Sequence, residues 1–521
     1  MQKQDIPYSQ ILSFLTQTDK RTFQSLNSTS KQLLLAQVRQ LNVDPSLYGI
    51  EQFESLLRWL EQNKQFLVGI VKLRVNAIAE AALLSRIMAI FNQMEFKNLN
   101  ELHFWFSVAL NEELRGAIRM FFLKVKNIKI LEITASILVI DFPNDFRFIT
   151  HLSIDHDPWF PVEARRFKDF FLFNSWRHLR HLQITECNAE VFSCICSQLL
   201  NNKTKLVSLN LFSHRIDTIT PPMRAFIKTQ NLLKNCIATS EATAIGQRLQ
   251  RLLILPGLER LHMHDVDSDM LQLIGTTCSQ LKELVIDGYH FNKKEFQTFL
   301  KKNVLKKLKS YKGVIEFFPD DDVQKYLPSL ESISYQLQTM NRNGIIAFLN
   351  GFKKMKSASI SVSEFYPEIP ILLQQFKNLT HLELDFDEDF PNIYQFIHLL
   401  NVLPLAQLRQ LVLTVKNFHV QLIASFFLHL HHLEALTIYS IHDVPINRIE
   451  AERQIMSFLD ILEGLDVCNK NVKEIDLPFF NDYVSIPDHR RRFMRIREKF
   501  PNIEKIRLGN GFFYFKPKYL F

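Results

Sequence analysis

The sequence predicts an α/β solenoid of about 17 strand–helix repeats, preceded by a small helical module. Three observations carry this. An apolar triad at relative positions 1, 4 and 6 recurs along most of the chain. The residues at positions 3 and 5, between the members of the triads, are overwhelmingly polar. Amphipathic stretches with three- and four-residue apolar steps fill the gaps between triads.

Taken in order, residues 1–45 do not fit the repeat and predict two or three short helices. Pro7 sits in the opening turn of the first, where its missing N–H costs nothing. Ile11, Leu12, Phe14 and Leu15 give it an apolar face, and TQTD ends it. Asp19 caps the second, in which Phe23, Leu26 and Leu33 to Leu35 follow. Residues 46–69 read as a helical linker or cap, and 70–521 as the solenoid.

Clear triads begin at Ile70 (IVKLRV), Leu99, Ile128, Ile149, Leu179, Leu206, Leu258, Leu281, Leu330, Leu379 (LTHLEL), Leu408, Leu433, Val472 and Ile503. Weaker ones begin at Leu232 (LLKNCI), Leu308 (LKSYKG) and Met355 (MKSASI), inside otherwise double-length gaps. The mean step from Ile70 to Ile503 is about 27 residues. Along a strand, side chains alternate between faces, so positions 4 and 6 point into the core and 3 and 5 point out. Position 1 turns in as the chain enters the strand. The returning segments read as helices, as in 77–94, 111–122, 292–302 and 341–352. One strand and one helix cannot bury their apolar faces alone, but stacked neighbours can. The 45 phenylalanines are the expected filling between helix and sheet.

The outward positions form a wet sheet face, the expected binding surface on the inner side of a horseshoe. The residues singled out as partner-binding are His151, His181, Gln183, Asn210, Arg260, His262, Glu283, His381 and Glu383. The same polarity also serves solubility.

Bulk composition narrows the function. An apolar fraction of 47% and a charged fraction of 22% are globular values. Only 13 glycines are present, and neither a GxGxxG nor a GxxxxGK[ST] phosphate loop occurs, so no nucleotide cofactor is expected. The net charge of +8 permits acidic partners without demanding nucleic acid. The basic groups Lys301–Lys309 and Arg490–Arg497 read as solvated helix faces. The amino terminus lacks the pattern of a secretory signal, and no stretch reaches the ~20 apolar residues of a membrane span. Six scattered cysteines without zinc spacing suit reduced thiols in a cytoplasmic compartment.

Chemistry finds little purchase. His262 and His264 share a strand face, yet no third ligand is evident, so no metal is expected. Cys194 and Cys196 lack a legible base and lie among Phe192, Ile195 and Leu199, which reads as core rather than nucleophile. Asp385, Asp387, Glu388 and Asp389 read as a solvated turn after a strand. The run 429–433 (HLHHL) reads as a helix end. The chain is expected not to be an enzyme.

The triads resemble leucine-rich repeats of the long, helix-containing subtype, similar to ribonuclease inhibitor, whose period is about 20–29 residues. The asparagine or cysteine usual three positions after the last leucine is mostly missing; Cys187 and His214 occupy it in two copies. The amino-terminal segment resembles an F-box, with Ile6-Pro7, Ile11 to Leu15, Asp19, and Leu26 with Thr29-Ser30-Lys31. It departs in the shorter gap after Pro7, the longer gap after Asp19, and Leu33 in place of an aromatic. The resemblance implies that Ile6, Pro7, Ile11, Leu12 and Leu15 dock on a Skp-type adaptor of a ubiquitin ligase. The repeats would then select an unidentified protein substrate, in the cytoplasm, or in a host cytosol if the chain is a bacterial effector. A helical cap over the open end of the solenoid, on a protein-binding scaffold or inhibitor without a ubiquitin link, is the alternative.

Overall fold

The computed structural model describes residues 39–45, 50–64, 67–140, 146–155, 164–214, 216–240, 244–291, 299, 305–315, 328–337, 355–362, 378–389, 407–416, 427, 430–441, 448–465, 470–477, 495–496, 498–508 and 511–514. The F-box-like residues Ile6, Pro7, Ile11, Leu12 and Leu15 lie outside them, as do the helices expected at 292–302 (apart from Phe299) and 341–352. The chain divides into two compact units, residues 1–265 and 266–521.

The first unit alternates strands and helices: β1 (Gln40–Val43), α1 (Ile50–Asn63), β2 (Lys72–Ile78), α2 (Ala81–Phe91), β3 (Glu101–Phe106), α3 (Glu112–Lys124), β4 (Ile130–Thr134), a 3-10 turn (Ala135–Val139), β5 (His151–Asp155), α4 (Ala164–Phe173), β6 (His181–Thr185), α5 (Ala189–Asn201), β7 (Ser208–His214), α6 (Pro221–Lys228), β8 (Asn235–Ser240), α7 (Ala244–Leu253) and β9 (Arg260–His264). Each strand pairs in parallel with the next. The second unit contains α8 (Ser268–Thr277), β10 (Glu283–Phe291), β11 (Ser310–Ile315), β12 (Ser332–Leu337), β13 (Ser357–Val362), β14 (His381–Asp389), β15 (Gln410–Lys416), β16 (Ala435–Ile441), α9 (Arg448–Gly464), β17 (Glu474–Leu477), β18 (Lys505–Leu508) and β19 (Gly511–Tyr514). Strands β10 to β18 again pair in parallel, and β19 turns back antiparallel on β18. Both units are therefore α/β solenoids of leucine-rich-repeat type.

The register is what makes the triad work. Position 3 pairs with position 3 in the next repeat, as in His151 with His181 and Ser357 with His381. Positions 4 and 6 consequently stack on their own kind, and Leu102, Leu152, Leu182 and Leu209 are all buried. At each parallel step within a unit, one carbonyl just before the strand accepts two amides from the following repeat. The Arg39 carbonyl takes Val71 N at 2.7 Å and Lys72 N at 3.0 Å, and the Glu434 carbonyl takes Lys473 N and Glu474 N in the same way.

Every triad found in the sequence leads into a strand, with one displaced. Ser208 pairs with Asn235 and Leu209 with Cys236, so that triad is Leu233, Cys236 and Ala238, not one starting at Leu232. Leu233 is 1% exposed and Leu232 is 49% exposed. The sheet also begins a repeat earlier than Ile70, at β1, where Leu41 and Val43 are buried within the segment read as helical. The acidic run 385–389 is not a turn: β14 continues to Asp389, with a register shift between Asp385 and Asp389. The weak triad at Leu308 has a steric cause. Tyr311 at position 4 is buried, and a Cβ on Gly313 at position 6 would lie 2.3 Å from its hydroxyl oxygen. One large ring fills the space of two side chains.

The phenylalanines do fill the layer between helix and sheet. Phe91, Phe96, Phe104, Phe121 and Phe122 pack with ring centroids 5.4–6.4 Å apart. The column continues through Phe146 to Phe170 and Trp176. The missing asparagine after the strand is replaced by asparagines immediately before position 1. Asn98 Nδ2 donates to the Val68 carbonyl (3.2 Å), Asn471 to His431 (2.8 Å) and Asn502 to Lys470 (2.6 Å). Each links one turn to the corresponding turn of the preceding repeat.

Candidate interaction face

The outward strand positions of the first unit are joined sideways into rows. Lys72 on β2 pairs with Glu101 on β3. His103, two residues on, sets Nε2 2.7 Å from Glu101 Oε1 and Nδ1 against a carboxylate oxygen of Glu132 on β4. On β5 and β6, His151 and His181 stack with ring centroids 3.9 Å apart and planes 4° from parallel. Thr150 Oγ1 lies 2.8 Å from His151 Nδ1. Asn210 Nδ2 donates to Gln183 Oε1 at 3.4 Å across β6 and β7. The structure thus brings His151, His181, Gln183 and Asn210 together on neighbouring strands. Arg260 and His262 lie on β9, separated from them by β8, whose outward residues are Asn235 and the apolar Ile237.

Electrostatics follow from partial burial. Burial alone would raise the Glu101 carboxyl, but Lys72 and His103 outweigh it and hold it below its usual value. Burial pushes His151 down against the opposing pull of Glu101 and Glu132. It pushes His181 down too, helped by His151 beside it. His103 holds the outward position 5 of its repeat, yet it is only 7% exposed, because carboxylates from two strands close over both ring nitrogens. Trp105, the next outward residue of β3, is 36% exposed and meets His103 edge to face.

In the second unit, Glu283 stands on β10 and His381 with Glu383 on β14. Between them the register aligns Ser310, Ser332 and Ser357 with His381, and Lys312, Ser334 and Ser359 with Glu383. Arg507 meets Asp476 at 3.4 Å at the far end. Burial raises the Asp476 carboxyl despite Arg507 and Lys505. Tyr439, at the position of β16 that Trp105 holds on β3, is 44% exposed. Just before the strands, Lys356–Glu331 (3.0 Å), Arg409–Glu434 (3.2 Å) and Lys473–Glu434 (2.7 Å) form a second charged row. Sequence reasoning passed over Trp105 and Tyr439, although both stand three residues after position 4, with the parity of the outward face.

Among the described residues the cysteines offer no activated thiol. Cys196 is buried, and burial, Cys187 and Cys194 drive its thiol upward. Cys194 is half-buried at a groove of about 570 Å³ lined by Lys168, Glu190, Ser193, Asp217 and Thr220. Burial raises it, Lys168 pulls it down, and Asp169 and Glu190 raise it further. These shifts run opposite to what a nucleophilic thiolate needs. His264 Nδ1 lies 2.8 Å from Asp265 Oδ2. Among the described residues no group of three histidine, cysteine or acidic side chains is placed to hold a metal. No described helix is long and apolar enough to cross a membrane.

No protein-family model matches the chain, and no curated protein matches it in sequence. Among solved structures it is similar to an internalin, InlF, from Listeria monocytogenes, with a TM-score of 0.29 and 13% identity over 77% of this chain and 93% of that one. It is also similar to the complex of Rad7 and Elc1 from yeast, with a TM-score of 0.35 and 13% identity over 85% and 95% of the two chains. The fold assignment rests on the chain's own strand register.

Proposed function

We propose that the chain is a non-catalytic scaffold that binds a protein through the outward strand faces of its repeats. One observation carries the reading. Trp105 stands exposed on a strand face otherwise held in fixed rows by Lys72, Glu101, His103 and Glu132. A half-exposed aromatic beside immobilised polar groups is the usual make-up of an interface anchor, and ordering the surface beforehand lowers the entropy lost on binding. Tyr439 is an exposed aromatic at the equivalent strand position of the second unit. The test compares proteins captured from cells by the wild type, Trp105→Ala and Tyr439→Ala at equal expression. The expected result is loss of a defined partner, with affinity lowered about tenfold or more. An unchanged set of partners for both variants would refute the reading.

In its finer form, the scaffold is the substrate-recognition subunit of a Skp–cullin–F-box ubiquitin ligase, with the adaptor held by Ile6, Pro7, Ile11, Leu12 and Leu15. The support is the sequence resemblance of residues 1–45. A purified Skp-type adaptor should bind the full chain and fail to bind Ile11→Asp plus Leu15→Asp. Binding that survives both changes would leave the scaffold or inhibitor without a ubiquitin link.

A further inference from the structure

In the first unit each helix runs back against its strand. Helix C-termini, the turns after them and the starts of the next strands therefore share one edge. From α3 onward that edge has an unusual composition. Segments 119–131, 146–152, 170–182, 199–209, 225–236 and 250–258 contain lysines and arginines but no aspartate or glutamate, and Glu259, just before β9, is paired with Lys234 at 2.8 Å. Glu112, Glu113, Asp155 and Glu190 lie at strand ends and helix starts on the opposite edge, Glu132 lies on the strand face, and Asp169 sits about one turn before Leu172 on α4. Cations near helix C-termini complement the helix dipole, which accounts for part of this segregation.

It does not account for the apolar side chains in the same place. Met120 (52% exposed) and Leu123 (38%) are on the last turn of α3, Phe148 (51%) is in the turn before β5, and Leu172 (50%) is at the end of α4. They stand beside the buried column Phe122, Phe146 and Phe170, which crosses the same three repeats with centroids 6.0 and 6.3 Å apart. The edge is also rigid. Phe146 N donates to Asn174 Oδ1 (3.0 Å), Thr204 Oγ1 to the Trp176 carbonyl (3.0 Å), and Leu206 N to Gln230 Oε1 (2.8 Å). Exposed Lys126, Lys129, Arg147 and Arg177 flank the apolar group.

We propose that this edge docks on the surface of an anionic lipid bilayer. The apolar side chains would enter the headgroup region while the basic ones meet lipid charge. Nucleic acid would use the charges but not four solvent-facing apolar side chains. A second copy on the same edge would bring like charges together.

The test is co-sedimentation of the full chain with phosphatidylcholine vesicles, with and without phosphatidylserine. The expected result is binding only to the phosphatidylserine vesicles, weakening as salt rises. Lys126→Gln plus Lys129→Gln should lower partition about 25-fold, roughly fivefold per charge. Leu123→Ser, Phe148→Ser and Leu172→Ser together should lower it about tenfold or more. An unchanged circular-dichroism melt shows that each variant folds. Failure of the wild type to bind phosphatidylserine vesicles would overturn the proposal. So would lipid binding indifferent to the three serine substitutions and abolished by short duplex DNA. A dimer in solution that the same substitutions dissociate, with no lipid binding, would assign the edge to self-association instead.

Discussion

His151 and His181 make the stability of the strand face depend on pH. Burial holds both below the ordinary histidine value, so the folded state resists their protonation. The unfolded chain takes up protons near pH ~6.5, the folded chain only lower. Between those limits the unfolded state binds more protons, so stability rises with pH and falls on acidification below ~6.5. Glu101 acts in a lower window, since its depressed carboxyl adds stability that is lost as pH falls through its folded value. Urea midpoints measured at about pH 7.5 and about pH 5.5 should therefore fall for the wild type and fall less for His181→Gln. Equal losses in both proteins would show that the stacked pair does not carry the effect. The burial of His103 shows why such detail escapes the sequence. Its closure depends on Glu132, 29 residues away, reaching back across one strand spacing.

At the level of the repeat, most of the architecture was legible because the triad couples spacing directly to burial. The miss at Leu232 came from two adjacent leucines of equal hydrophobicity. Only the pairing of Ser208 with Asn235 decides which of them faces in, and a one-residue slip exchanges the faces. Asn98, Asn127, Asn378, Asn471 and Asn502 each precede a triad and could have been read as the turn-linking residue. Asn98→Ala removes the bond to Val68 and should cost about 1 kcal/mol in denaturant unfolding, with little change in the m-value. Gly313→Ala should cost about 2 kcal/mol, because the added carbon meets the Tyr311 ring on one side and the Ile286 carbonyl at 3.1 Å on another. Tyr311→Leu in the same chain should restore part of that. If Gly313→Ala is neutral, the ring is not fixed as described. The stacked histidines were foreseeable once register was known, since both hold position 3 in consecutive repeats. Nothing in local sequence marks 385–389 as strand, because a run of carboxylates reads as solvated until a neighbouring ladder pairs with it.

Across the whole molecule, repeats touch mainly their neighbours, so damage should stay near its source. Phe122→Ala opens a cavity in the first unit at a cost of about 3–5 kcal/mol. Hydrogen exchange should quicken in β3 to β6 while β14 to β16 keep their protection. Uniform loss would show one cooperative block. A stack of parallel strands also raises a problem of growth. Its terminal strand displays unmet amides and carbonyls in the same geometry that seated every earlier copy, so it invites another molecule to add on. The antiparallel return from Leu508 to Gly511 puts a reversed, four-residue strand where the next repeat would sit. Deleting residues 509–521 should therefore yield elongated, concentration-dependent polymers by light scattering. An unchanged size distribution would mean that this reversal does not block edge-to-edge growth.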